Sequence, residues 1–314
     1  MAESKVVIYG AIAANVAIAI TKFAVAGVSG SSAMMSEAVH STVDTANGVL
    51  LLVGTRLSER PASEAHPFGH GKELYFWSLI VAVLVFGLGG GISFYEGVMH
   101  WRHPEPLQDA GWSYFVLAAA AVFEGASFFV ALRQFRRKSR GRPLLEAVIA
   151  SKDPTTFTVL AEDGAALAGL AIAAVGVYAS HALDRPSLDG FASMLIGVLL
   201  AGVATLLIRE SRSLLVGEGV RPETAQRIRE MAVSHDQVES AGRLQSMYLG
   251  PDAVLLTLDL HFTPSASAAC VADTVVALER EVRAAFPVIH HIYVEAVRSS
   301  QARITPGSPA AAPS

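Results

Sequence analysis

His40 and Asp44 lie four residues apart in SSAMMSEAVHSTVDTANGVLLLVG, a largely apolar stretch long enough to be a buried helix. On a helix that spacing puts both side chains on one face. An imidazole nitrogen and a carboxylate oxygen together suit a divalent transition metal, and each can hold a proton instead. An ionisable side chain at the centre of a lipid-spanning helix costs about 2.5 to 3.5 kcal/mol on insertion scales, so such residues point to function. Two of them one turn apart would be a costly way to make one packing contact. The pair reads as half of a metal site within a membrane. Asn47, three residues further on and close to the same face, could add an oxygen ligand or orient Asp44.

A second half is available in TFTVLAEDGAALAG, where Glu162 and Asp163 are adjacent in another apolar segment. Neighbours on a helix point about 100° apart, so one can face His40 and Asp44 while the other faces elsewhere. Asp163 is the expected ligand. Glu162 is an alternative ligand, a proton carrier behind Asp163, or the partner of a basic residue at the helix end.

These residues need elements to position them, and the composition says which kind. With 52% hydrophobic and 17% charged residues, the 314-residue chain is too apolar for an ordinary soluble protein. The net charge of -4 gives no basis for nucleic-acid binding. A single cysteine, Cys270, excludes an intramolecular disulfide framework and a cysteine-rich zinc ribbon. A span needs roughly 20 mainly apolar residues. Six segments qualify: 6–28, 33–53, 76–95, 112–132, 157–178 and 191–208. MAESK is too short to be the charged start of a cleavable signal, so the first segment reads as a retained span. Basic residues crowd the connections between the second and third spans (Arg56, Arg60, Lys72) and between the fourth and fifth (Arg133, Arg136, Arg137, Lys138, Arg140, Arg142, Lys152), while the opposite loops hold little beyond Arg102 and Arg185. The positive-inside rule then places both termini in the cytoplasm, in a multi-pass protein of the plasma or inner membrane.

Small residues in the third span (Gly87, Gly89, Gly90, Gly91) and in the fourth (Gly125, Ala126, Ser127) predict close helix packing. Lys22, near the outer end of the first span, is expected to snorkel to the interface. Glu124 lies deeper and either lines an ion path or bonds across helices. After residue 210 the pattern changes to helix, strand, strand, helix, strand within residues 211–298, with a turn at Gly250-Pro251-Asp252, which predicts a small α+β unit of ferredoxin-like kind. Residues 299–314, rich in Pro, Ala and Ser, are expected to be disordered.

The six spans in this order, SEAVHSTVDTANG on the second, HPFGHGKELYFWS leading into the third, and the Asp163 segment followed by RESRSLLVGE and an α+β tail resemble the cation diffusion facilitator family of metal transporters. The likeness covers most of the chain, from about Ser4 to Val297, and is specific because several separated motifs fall in the right order. It implies a homodimer in the lipid bilayer, six transmembrane helices in residues 1–210 and a cytoplasmic dimerisation domain in 211–298, exporting a divalent metal, usually Zn²⁺, in exchange for protons. The family's site takes a His/Asp-xxx-Asp pair from the second span and another from the fifth. His40 and Asp44 match the first pair, and Asp163 matches the last carboxylate of the second.

The departure is Val159, where the family pattern usually has His or Asp and this chain has no ligating atom. Glu162, Asn47 or a water could complete the shell. A shell richer in oxygen makes Mn²⁺, Fe²⁺ or Co²⁺ more plausible, with Zn²⁺ still first. His66 and His70, one turn apart in EAHPFGHGKE, could form a further metal site with Glu64, as some relatives do at this loop, or could be solvated turn residues. His235, His261, His290, His291 and Cys270 are too scattered for a ligand set. A metal-dependent hydrolase would need a motif such as HExxH, which is absent, so no enzyme is expected. A non-transporting scaffold is the remaining alternative, because Val159 removes a ligand.

Overall fold

The computed structural model describes residues 2–104, 110–138 and 152–298. The tail at 299–314 and the basic positions Arg140 and Arg142 lie outside the described residues. The chain divides into two compact units, Met1–Val216 and Gly217 onward.

The described regular elements of the first unit are helices: α1 (Ala2–Ser29), α2 (Ser32–Ser58), α3 (Glu73–Leu84), a π-helical stretch (Val85–Gly91), α4 (Ile92–Arg102), α5 (Ala110–Lys138), α6 (Pro154–Ala182) and α7 (Ser187–Val216). The six expected segments all fall on these helices. Four helical segments among the described residues are long and apolar enough to cross a membrane: Glu73–Arg102, Gly111–Arg137, Phe157–Ala182 and Ser187–Val216. Val16–Ser29 is a shorter apolar helix. The helix that carries Glu37, His40, Asp44 and Arg56 is not among the four, since those side chains dilute its apolarity. Phe115, Val122, Phe129, Val175, Tyr178 and Val198 are exposed, apolar surface suited to lipid contact.

The third segment is not a uniform α-helix. Its glycine-rich centre, VFGLGGG, winds as a π-helix, a form that is uncommon and tends to occur within α-helices at functional positions. The predicted close packing falls on particular glycines. A Cβ at Gly90 would lie 3.1 Å from Ala201 N, and one at Gly97 only 2.5 Å from Met194 N, whereas at Gly87 it would meet nothing within 4 Å. From the other side, a Cβ on Gly197 would lie 2.6 Å from Phe94 N. The third segment and α7 are thus joined backbone to backbone, the arrangement that small residues permit in membranes. Gly97→Ala is expected to destabilise the protein by about 1–3 kcal/mol through overpacking. Gly87→Ala should be neutral; thermal unfolding of both variants checks this.

Between α1 and α2 the chain reverses at Gly30, which takes a positive φ of 67°. Ser31 then caps α2, its Oγ accepting from Met34 N at 3.1 Å. The start of α2 is also held by Asp189, buried in the first turn of α7. Its carboxylate accepts from Ser31 Oγ (2.7 Å), Ser32 N (2.6 Å), Ser32 Oγ (3.0 Å) and Ala33 N (3.2 Å). A carboxylate at a helix N-terminus meets unsatisfied amides and the positive end of the dipole. The helix bearing His40 and Asp44 is therefore fixed at its beginning.

The second unit is α8 (Pro222–Val233), β1 (Val238–Gly250), β2 (Ala253–Phe262), α9 (Ala268–Ala285) and β3 (Ile289–Arg298). β1 and β2 pair antiparallel across the expected turn, and β2 pairs parallel with β3 through the α9 crossover. Val254, Leu256, Leu258, Leu260 and Phe262 on β2 are buried alternately, packing with Ile228 and Ala232 of α8 and Leu278 and Val282 of α9. The order of elements agrees with the sequence pattern. The sheet has three strands among the described residues, where a full ferredoxin-like β-α-β-β-α-β unit has four.

Candidate metal site

Within α2, His40 Nε2 stands 3.4 Å from Asp44 Oδ2, as the i, i+4 spacing requires. His40 is only 1% exposed, and neither of its ring nitrogens makes a hydrogen bond; Asp44 Oδ1 is also buried without one. Unpaired buried polar atoms cost free energy, and a cation or water is what satisfies them.

Asp44 faces a cavity of about 160 Å³ whose wall also includes Asp163, Glu124, Ser41, Ser127 and Phe123. The cavity brings together side chains of α2, α5 and α6. Ser127 on α5 donates to Asp163 Oδ2 at 3.1 Å and so fixes the carboxylate. Asp44 and Asp163, the expected ligands from two helices, therefore open on one space. Among the described residues no three of His, Cys, Asp or Glu are drawn closely enough to hold a metal ion.

Glu162 does not line this cavity. It points to α2, where its Oε1 accepts from Asn47 Nδ2 at 2.8 Å, while Asn47 Oδ1 has no hydrogen-bond partner. The bond ties α6 to α2 one turn beyond Asp44.

Lys22 corrects an expectation. It does not snorkel: it is fully buried, and its ammonium donates to Glu37 Oε2 (3.2 Å), Ser41 Oγ (2.8 Å) and Glu124 Oε1 (3.0 Å). The reason is that two carboxylates and a hydroxyl meet it inside the bundle, so all three of its N–H groups are used without water. Glu124 lines the cavity and bonds across helices to Lys22, the second of the two roles its depth suggested. Glu37 had no place in the sequence argument. The signal for it was the buried cation itself, which demands an anion, and Glu37 sits one turn before Ser41 in the same motif.

In the loop before α3, His66 and His70 stack with ring centroids 4.4 Å apart, in a turn where Gly69 adopts a φ of 80°. Glu64 is exposed nearby in sequence, and no third ligand joins the pair among the described residues. In the second unit His235 lies 3.5 Å from Glu281, and Cys270 serves helix α9 through its amide, which donates to Ser267 Oγ.

A helix bundle with an apolar exterior, enclosing carboxylates, an imidazole and a cavity, has the character of a membrane-spanning protein. Residues 8–216 match the family model of the cation efflux transmembrane domain. The chain belongs to the cation diffusion facilitator family. It is 35% identical over 235 residues to a Xenopus laevis protein named proton-coupled zinc antiporter SLC30A9, mitochondrial, a match covering 74% of this chain and 42% of that one. It is 33% identical over 243 residues to metal tolerance protein C4 of Arabidopsis thaliana, covering 77% and 53%. The magnetosome protein MamM of Paramagnetospirillum magneticum is 26% identical over 251 residues, covering 77% and 72%. The chain thus spans about half or less of the length of the first two relatives.

Proposed function

We propose that this protein exports a divalent metal cation across a membrane in exchange for protons, with Zn²⁺ as its first substrate. The observation that carries the reading is the single cavity shared by Asp44 of α2 and Asp163 of α6, with His40 buried beside Asp44. The relative named as a zinc antiporter supports zinc and proton coupling. His40, Asp44 and Asp163 are the proposed ligands. Asn47 and Glu162 brace the two helices, and the unpaired Asn47 Oδ1 is a further oxygen donor beside the site. His66 and His70 form a second, weaker site at the loop.

Metal binding to imidazole and carboxylate requires both to be deprotonated, so protons and metal compete for the same atoms. Alternating access around such a site converts an inward proton gradient into outward metal movement. The full protein would have six spans with α1 and α2 completing the four apolar ones, both termini cytoplasmic in the plasma or inner membrane, and the α+β unit dimerising two copies. A second reading, selectivity for Mn²⁺, Fe²⁺ or Co²⁺, is favoured by the number of carboxylates at the cavity against one imidazole.

Proteoliposomes loaded with a metal-sensitive dye test the proposal. Zn²⁺ influx that quickens with an opposing proton gradient and collapses when the gradient is dissipated is expected. Product release from a hydrolysable substrate without flux would mean an enzyme, and neither signal would mean a scaffold.

A further inference from the structure

We propose that Glu124 of α5 is a ligand of the transported metal, supplying the donor that Val159 cannot, and that Lys22 holds its carboxylate as a built-in counter-cation until the metal arrives. The inference rests on the cavity being the transport site, and it adds a third helix to the pairs expected from α2 and α6.

Three candidates could stand in for the donor absent at Val159: Glu162, Asn47 and water. Glu162 is engaged by Asn47 at 2.8 Å and does not reach the cavity wall. Glu124 does reach it, beside Asp44 and Asp163. One of its oxygens accepts from Lys22 at 3.0 Å, and the other, Oε2, is buried with no hydrogen-bond partner. A buried carboxylate oxygen left unpaired beside two other carboxylates is a place for a cation rather than a packing contact. On the same helix, one turn on, Ser127 holds Asp163. The α5 helix therefore forms a wall of the site through two functional side chains, not through small residues alone.

Charge points the same way. Glu37 and Glu124 bond to one ammonium, Lys22, while Glu124 shares the cavity wall with Asp44 and Asp163, with His40 buried at 1% exposure beside Asp44 and making no hydrogen bond. One positive charge cannot balance four carboxylates in a low-dielectric interior, so a divalent ion or protons must supply the rest. Lys22 takes Glu124 with one of its three bonds and keeps Glu37 and Ser41 with the others, so releasing Glu124 to a metal leaves the ammonium still held. Three carboxylates and one imidazole form an oxygen-rich set, harder than one with two imidazoles.

The test is metal titration of the purified full chain with Zn²⁺ and Mn²⁺ at fixed pH, against a chelating dye. Glu124→Gln, which keeps an acceptor for Lys22, is expected to weaken binding at least about ten-fold, since even groups behind metal ligands act on that scale. Val159→His added to Glu124→Gln should restore affinity and shift preference toward Zn²⁺. Should Glu124→Gln fail to fold, Glu124→Asp keeps the charge for Lys22 but withdraws the carboxylate by one methylene, and it should weaken binding likewise. Wild-type affinity in the Glu124 variants, with binding lost in Asp44→Ala, overturns the proposal and spares the transport site. Weakened binding that Val159→His does not restore also overturns it, because Glu124 would then act only by positioning Lys22. Unchanged binding in Asp44→Ala sinks the reading of the cavity itself.

Discussion

Asp44→Ala is expected to abolish proton-coupled metal flux while leaving the protein folded. Asp44 supplies an oxygen to the cavity and stands 3.4 Å from His40, so its loss removes one proposed ligand and the neighbour of another. Its Oδ1 makes no hydrogen bond, so alanine breaks few structural contacts there. Metal affinity should fall by more than about a hundred-fold, beyond the range seen for groups that only support ligands. In the wild type, affinity should decline as pH falls, because each proton bound to His40, Asp44 or Asp163 must leave before the metal enters. Asp44→Ala should remove most of that pH dependence with the flux. Dye-loaded proteoliposomes read the first effect and titrations at several pH values the second. Wild-type flux in Asp44→Ala would end the assignment.

Lys22→Met is expected to prevent accumulation of folded protein. The substitution leaves the Glu37 and Glu124 carboxylates and the Ser41 hydroxyl facing one another with no cation between them. Breaking a buried ion pair by removing one partner costs about 3–5 kcal/mol, a large part of a typical total stability of about 5–15 kcal/mol. The same loss should be largely repaired by Glu37→Gln and Glu124→Gln in the Lys22→Met background, since neutral amides can bond to each other and to Ser41. Yield and thermal midpoint after size-exclusion chromatography measure both. A Lys22→Met midpoint within about two degrees of wild type, given that about 1 kcal/mol moves a protein of this size by roughly 2–4 °C, would show that the network contributes little.

Much of the site was legible because its residues announce themselves locally. His40 and Asp44 are one turn apart in an apolar helix, so spacing places both on one face, whereas Asp163 has only Val159 one turn before it and Glu162 beside it, and spacing alone left open which of the two acids faces the pair. The α+β unit was legible for the same reason: alternation along β2 and helical spacing along α8 and α9 are short-range signals. What escaped was the identity of distant partners. Lys22 meets Glu124 across 102 positions of sequence and Glu37 across 15, and nothing near Lys22 distinguishes a buried cation from one reaching for the interface. Asp189 went unremarked in the sequence, yet it receives the amides of Ser32 and Ala33 more than 150 residues earlier. The glycine run in the third segment predicted close contact, but which glycine touches α7 depends on how the π-helical turn rotates the residues after it.

The Asp189 carboxylate also couples two parts of the molecule mechanically. Four bonds attach the first turn of α2 to the first turn of α7, and glycine contacts weld α7 to the third segment. Any swing of α2 that would open the cavity on that side must either carry α7 and its welded neighbour along or strip a shielded anion of every amide it holds. The start of α2 is therefore the fixed end about which the helix would turn, and a tilt of its far end must carry Glu162 of α6 with Asn47 or break the bond between them.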